Sequence, residues 1–189
     1  MKKIELVYLE ILSNFEKGIK KTTQASLASA LKISLSTVAH ALLPLRKMGA
    51  IEIYKNGFFI INAKKILYLL ASIRELEKDI IYKTRVESSV MELEKNMPPG
   101  VIYGAYSAYK FKFQDAPSDY SEVYVYAGSI EEIKKRFPER KAPYNLFVLK
   151  KNFHEMPLAL LFADLWNLKE WYAKEFLNAI EKKITEIYK

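Results

Sequence analysis

The chain contains no cysteine. That absence excludes disulfides, thiolate metal sites and cysteine nucleophiles. Histidine is almost as scarce: His40 and His154 stand far apart in sequence, and no metal site is expected from them. Glutamine occurs only as Gln24 and Gln114, against abundant Lys, Glu, Ile and Tyr, a balance that leans toward a heat-loving source. No stretch of about 18 apolar residues occurs, so no membrane span is expected. Met1–Glu10 alternates charged and apolar side chains, unlike a secretory leader, and a cytoplasmic protein is the expectation.

What is present is a basic chain of 189 residues, half of them hydrophobic, with a net charge of +8 and a pI of about 9.4. That length accommodates one large domain or two small ones. Divided at Ala63, the first part holds 9 Lys+Arg against 4 Asp+Glu, and the remainder 21 against 18. The smaller part carries the larger excess, the distribution a nucleic-acid module would have.

The stretch Thr22–Asn62 is the most informative. Thr23 can cap a short helix carrying Ala25, Leu27, Ala28 and Leu31. Lys32–Ser34 is a tight break. A second helix starts from Ser34 and runs through Lys47, with Ile33, Val38, Leu42 and Leu45 at helical spacing and Gly49 as its stop. Pro44 falls inside it, where a missing N–H predicts a kink. IEIY and FFII read as strands around Asn56-Gly57, a preferred two-residue hairpin turn. Ahead of all this, residues 3–16 place Ile4, Val7, Tyr8, Ile11, Leu12 and Phe15 on one helical face.

Two helices followed by a hairpin, with SLSTVAHALLPLRKMGAIEI at their centre, resemble winged helix-turn-helix regulators over about the first third of the chain. The resemblance implies a recognition helix entering the major groove of double-stranded DNA. Ser34, Ser36, Thr37 and His40, near the start of the second helix, would face the duplex. Lys32, Arg46, Lys47 and Lys55 are candidate phosphate contacts, and Thr23 and Gln24 could meet phosphate at a helix start. The hairpin carries only Lys55, so it is read as a partly structural wing.

Residues 64–97 read as a helical connector, with an apolar face that packs either between protomers of a homodimer or on the rest of the chain. Met97-Pro-Pro-Gly100 is the clearest break. After it, strands are expected at VIYG, EVYVYAG and YNLFVLK. Helices are expected at AYSAYKFKF, at SIEEIKKRF with Ser129 and Glu132 as a capping box, and in one or two terminal segments stepping near Asn167. The result is an α+β chain with three parts: 1–63, a connector over 64–97, and a small mixed α/β domain over 98–189. The tyrosines and phenylalanines from Tyr103 to Tyr126, together with Trp166 and Trp171, are expected in the core. Lys134, Lys135 and Arg136 are expected on a solvated helix face.

GAYSAYKF after a strand, EVYVYAG, and PLALLFADLWNLKEWYAKEFLNAIEKKI resemble the nucleotidyltransferase fold, in the form attached to winged-helix antitoxins of abortive-infection systems and related archaeal regulators. Active members carry a Gly-Ser pair opening the helix after the first strand and two carboxylates on the next strand that bind magnesium. Here Gly104 is followed by Ala105, with Ser107 further on. Asp115, Asp119 and Glu122 are the nearby carboxylates, and Asp119 and Glu122, three apart, would point to opposite sides of a strand. The expectation is a degenerate, non-enzymatic domain without cofactor or catalytic metal. The chain reads as a DNA-binding transcriptional regulator whose second domain senses a ligand or binds a protein partner. An antitoxin-like regulator and a metal-dependent nucleotidyltransferase are the alternatives.

Overall fold

Residues 1–188 are described in the computed structural model, an α+β chain that divides into two units. The first takes Met1–Arg74, Pro157–Ala163 and the chain from Glu181; the second takes Glu75–Met156 and Asp164–Ile180.

In the first unit, α1 (Lys3–Glu16) buries Val7, Tyr8, Ile11, Leu12 and Phe15 of the face its periodicity predicts, with Ile4 half-buried and Leu9 buried in addition. It buries Glu5 as well, which meets Arg74 at 3.2 Å with both side chains out of solvent. Next come β1 (Lys21–Thr22), α2 (Gln24–Leu31) and α3 (Leu35–Lys47). Thr23 and Ser34 cap the two helices, their side chains accepting from the amides of Ser26 and Thr37. Lys32, in the left-handed region at φ 53°, ends α2. The buried set is smaller than the sequence suggests: α2 buries only Leu27 and Ala28, and Ile33 is half-buried ahead of α3. α3 runs through Pro44 and buries Val38, Ala41, Leu42 and Leu45, and Gly49 follows its end at φ +67°.

The hairpin differs from expectation in its turn. β2 (Ile51–Tyr54) pairs with β3 (Gly57–Ile60) so that Tyr54 opposes Gly57, and the loop residues are Lys55 and Asn56. Gly57 is instead needed inside the sheet. At φ +126° it lies so close to β1 that a Cβ would sit 2.4 Å from the Thr22 carbonyl oxygen. β1 adds to the far side of β3, giving the order β1-β3-β2. α4 (Ala63–Ile73), capped by Asn62, buries Ile66, Leu67 and Leu70. Leu158, Leu160, Leu161, Phe162, Ile184 and Tyr188 are among the later buried residues of this unit.

The second unit holds a mixed sheet in the order β4-β7-β6-β5. β6 (Val123–Ala127) and β7 (Leu146–Lys150) are parallel and joined through α7 (Glu131–Arg136), while β4 (Ile80–Thr84) and β5 (Ile102–Gly104) flank them antiparallel. β4 corrects the expectation of a helical connector over 64–97: a strand lies there, preceded by a 3₁₀ turn at Leu76–Asp79 and followed by α5 (Val90–Lys95). The sequence disguises it because Ile81, which points to solvent, is as apolar as its buried neighbours Tyr82 and Thr84 are expected to be. β6 is buried at every position and so has no polar alternation. On one sheet face Val123, Val125, Leu146 and Val148 pack with Leu93, Ile133 and Phe137.

Two further expectations fail here. α7 begins after Ile130, with no side-chain cap; Ser129 bonds Glu131 instead, and the Glu132 carboxylate takes the ammonium of Lys135 at 2.7 Å. Trp166 and Trp171 lie outside the core at 42% and 78% exposure, at the end of α8 (Leu158–Trp166) and in the turn before α9 (Ala173–Ile184).

Candidate nucleic-acid interface

α3 lies with Val38, Leu42 and Leu45 inward, and the opposite stripe is exposed. Ser36, His40, Leu43 and Lys47 follow one another at three- and four-residue steps along it, all open to solvent. Leu43, at 49% exposure, and Leu35, at 54%, were not singled out by the sequence, because a leucine in an amphipathic helix reads as core. At the amino end of α3, the Ser34 hydroxyl lies 3.0 Å from that of Ser36 and 2.8 Å from that of Thr37, and accepts the Thr37 amide at 3.2 Å. Three hydroxyls therefore gather where the helix dipole is positive.

The remaining predicted residues fall into separate places. Thr23 and Gln24 at the start of α2, and Lys55 in the hairpin loop, line one depression of about 410 Å³ together with Tyr54, Asn56 and Phe58. Lys32 is exposed in the break between α2 and α3. Arg46 and Lys47 are exposed in the last turn of α3, roughly 18 Å along the axis from Ser34 at the usual helical rise. The Lys65 ammonium donates to the Met48 carbonyl at 2.6 Å, placing another cation at that helix end. The exposed hairpin side also carries Tyr54 edge-on to Phe59 at 5.4 Å between centroids, with the Lys21 ammonium 5.3 Å from the Phe59 ring. Apart from the hydroxyl cluster and the hairpin depression, the candidates are spread over one basic unit rather than focused on a point.

Charge follows the units closely. The first holds 15 Lys+Arg against 6 Asp+Glu and the second 15 against 16, so net charges of +9 and −1 compose the +8 of the chain. A simple cut at Ala63 hid this, because Lys64, Lys65, Arg74 and the last turn of the chain belong with the first unit.

In the second unit the residues of the expected degenerate site do not converge on one point. Gly104 ends β5, and Ala105 opens α6 (Ala105–Phe113) at φ 46°, a left-handed conformation that costs a side-chain-bearing residue about 1 kcal/mol or more. Ser107 is fully buried. Asp119 and Glu122 both precede β6, so the strand-alternation argument does not apply to them; Asp119 is exposed and Glu122 half-buried. Glu122 accepts from Tyr172 and from Ser121, and burial pushes its carboxyl above the usual range. Glu170 accepts from Tyr106 at 2.9 Å, and buried Glu94 takes Tyr120 at 2.6 Å and the Lys110 ammonium at 2.7 Å. Burial raises the phenols of Tyr106, Tyr120 and Tyr124 well above the ordinary tyrosine value, so they remain donors. Among the described residues no group of three or more His, Asp or Glu side chains is placed to hold a metal ion. Most of the aromatics pack inward as expected, with Tyr106 against Tyr120, Tyr124, Tyr172 and Phe176, but Phe111 lies outside the core at 42% exposure.

Comparison with known proteins finds no matching family model, no matching curated protein and no matching solved structure.

Proposed function

We propose that the protein is a DNA-binding transcriptional regulator. The observation that carries this reading is the exposed stripe of α3, Ser36–His40–Leu43–Lys47, on a unit that holds the whole net positive charge of the chain. A helix of 13 residues fits the major groove, and short polar side chains near its start can reach base edges. Leu43 suits the methyl group of thymine. In this reading the first unit is a winged helix, with β2 and β3 as the wing and Lys55 and Asn56 at its tip. Lys32, Arg46, Lys47 and Lys55 meet phosphate, and Thr23 and Gln24 position the wing side of the duplex. The regulator acts as a cytoplasmic homodimer, which lets two copies of α3 read a two-fold site. The second unit has a nucleotidyltransferase-like fold without a metal-binding carboxylate pair, and serves interaction or ligand sensing.

The experiment is selection of duplex DNA from a random pool with the full chain, followed by binding isotherms at several salt concentrations. A recovered consensus, and affinity falling steeply with salt, are expected. The triple variant Ser36→Ala, Thr37→Ala, His40→Ala should lose the sequence preference while keeping salt-dependent binding. No binding at low salt would refute the reading, and an unchanged preference in the triple variant would refute the role of α3.

A further inference from the structure

The second unit has an open cavity of about 670 Å³ away from the tyrosine–carboxylate cluster. It lies beyond the carboxyl ends of the parallel strands β6 and β7, where Ala127-Gly128-Ser129 and Lys151-Asn152-Phe153-His154 leave the sheet. This end of a parallel strand pair is where ligands bind in α/β sheets generally. The third wall is the Pro98-Pro99-Gly100 loop.

The cavity is chemically two-sided. Its apolar side is made by Pro98, Val101, Ala127 and Phe153, the last packed on Tyr126 at 4.8 Å between ring centroids. Its polar side carries two cations, one fixed by the end of α5 and the other by the loop that follows it. Arg136 donates to the Asn96 carbonyl at 3.0 Å, and the Lys151 ammonium donates to the Gly100 carbonyl at 3.0 Å. Each bond uses a single donor and neutralises no charge, so both cations stay in place with donors to spare. Glu132 is the one carboxylate among the lining residues; its 2.7 Å pair with Lys135, and to a smaller extent the charge of Arg136, hold its carboxyl below the usual range. A volume in this range, an apolar wall and a few convergent polar groups describe a small-molecule site. A polyanion is a poor occupant, because the unit carrying the cavity has a net charge of −1.

We propose that this cavity binds a small phosphate monoester, its phosphate held by Arg136 and Lys151 and its ring or apolar portion laid against Phe153. Arginine offers two parallel donors to a phosphate and lysine a point charge, a combination suited to a dianion. The apolar wall selects for the rest of the molecule and against inorganic phosphate. The proposal stands independently of DNA binding, since every residue it uses lies in the second unit.

The test is titration of the full chain with AMP, UMP and glucose 6-phosphate, and with adenosine and inorganic phosphate as controls, read by calorimetry and by amide chemical shifts. At least one monoester should bind saturably and shift the amides of Gly100, Gly128 and Ser129, with both controls at least about 10-fold weaker. Arg136→Gln with Lys151→Gln should weaken binding by about 10-fold or more, whereas Lys134→Gln with Lys135→Gln on the same helix should not. Gly128→Leu is the second probe. A Cβ at Gly128 meets nothing within 4 Å, so the larger side chain can fill the cavity and block the ligand while the unfolding temperature holds. Absence of saturable binding by every monoester at millimolar concentration overturns the proposal. So do shifts confined to Ser34–His40, or wild-type affinity in both the Arg136/Lys151 and Gly128 variants.

Discussion

The two units use charge in opposite ways. The first carries +9 and, Arg74 apart, leaves most of its cations at the surface, among them those on α3 and the hairpin. The second has as many basic residues but balances them, and it draws Glu94, Glu122, Glu170 and Asp164 in among tyrosine hydroxyls. Composition alone would have called both units lysine-rich. What separates them is where the carboxylates lie: excess positive charge at a surface raises the local concentration of a polyanion, whereas paired charge in an interior fixes geometry. The cavity beside Arg136 and Lys151 shows that a balanced unit can still present a local cationic site.

The contrast can be broken first at the buried charges. Glu5→Ala removes the buried carboxylate that meets Arg74 at 3.2 Å and should cost about 3–5 kcal/mol in urea unfolding. Glu94→Gln in the second unit keeps the shape but weakens its bonds to Lys110 and Tyr120, and should cost about 1–3 kcal/mol. Equal and negligible losses would show that neither buried charge organises its unit. Gly57→Ala comes next. Its Cβ would collide with the Thr22 carbonyl at a positive φ, and about 2–3 kcal/mol is expected, with β1 detached from β3 by amide exchange.

Charge placement is sharpened by neutralising Lys32, Lys47 and Lys55 together. Duplex affinity should fall by about 10–100-fold, and the slope of log affinity against log salt should drop by roughly 3. The same treatment of Lys83, Lys134 and Lys135 in the second unit should leave both unchanged. The smallest effect is alkaline. Burial pushes the phenol of Tyr8 up to about 12, and burial followed by the bond to Glu181 does the same for Tyr68. Unfolded tyrosine titrates near 10, so their contribution is complete below pH 10 and is lost as pH rises from there through 12. Tyr8→Phe removes the bond to the Ala41 carbonyl, so stability at pH 8 should fall by about 1 kcal/mol and its decline above pH 10 should become shallower.

Local chemistry was readable in the chain itself. Thr23 and Ser34 cap the helices they announce, because a cap needs only the next three residues. The face of α1 follows from short-range periodicity, and the strands at 102–104, 123–127 and 146–150 from short apolar, β-branched and aromatic runs bounded by breaks. Within the candidate interface, the exposed polar stripe was legible but Leu43 was not, since a leucine carries no mark of whether its helix face is covered. Trp166 and Trp171 were assigned inward for the mirror-image reason. β4 was missed because apolar Ile81 faces outward and erased the alternation.

The sequence by itself determined the caps, the helical faces, the breaks at Gly49 and Pro98-Pro99, and the basic balance of the chain. Only the tertiary structure decided that Glu5 would meet Arg74, that Glu94 would lie buried and accept from Tyr120, and that Arg136 and Lys151 would reach the carbonyls of Asn96 and Gly100 on either side of Pro98-Pro99. The reason is range. A cap or an amphipathic face is settled within a turn or two of helix, whereas these partners stand 69, 26, 40 and 51 residues apart and meet only after the sheet and helices have brought distant segments together.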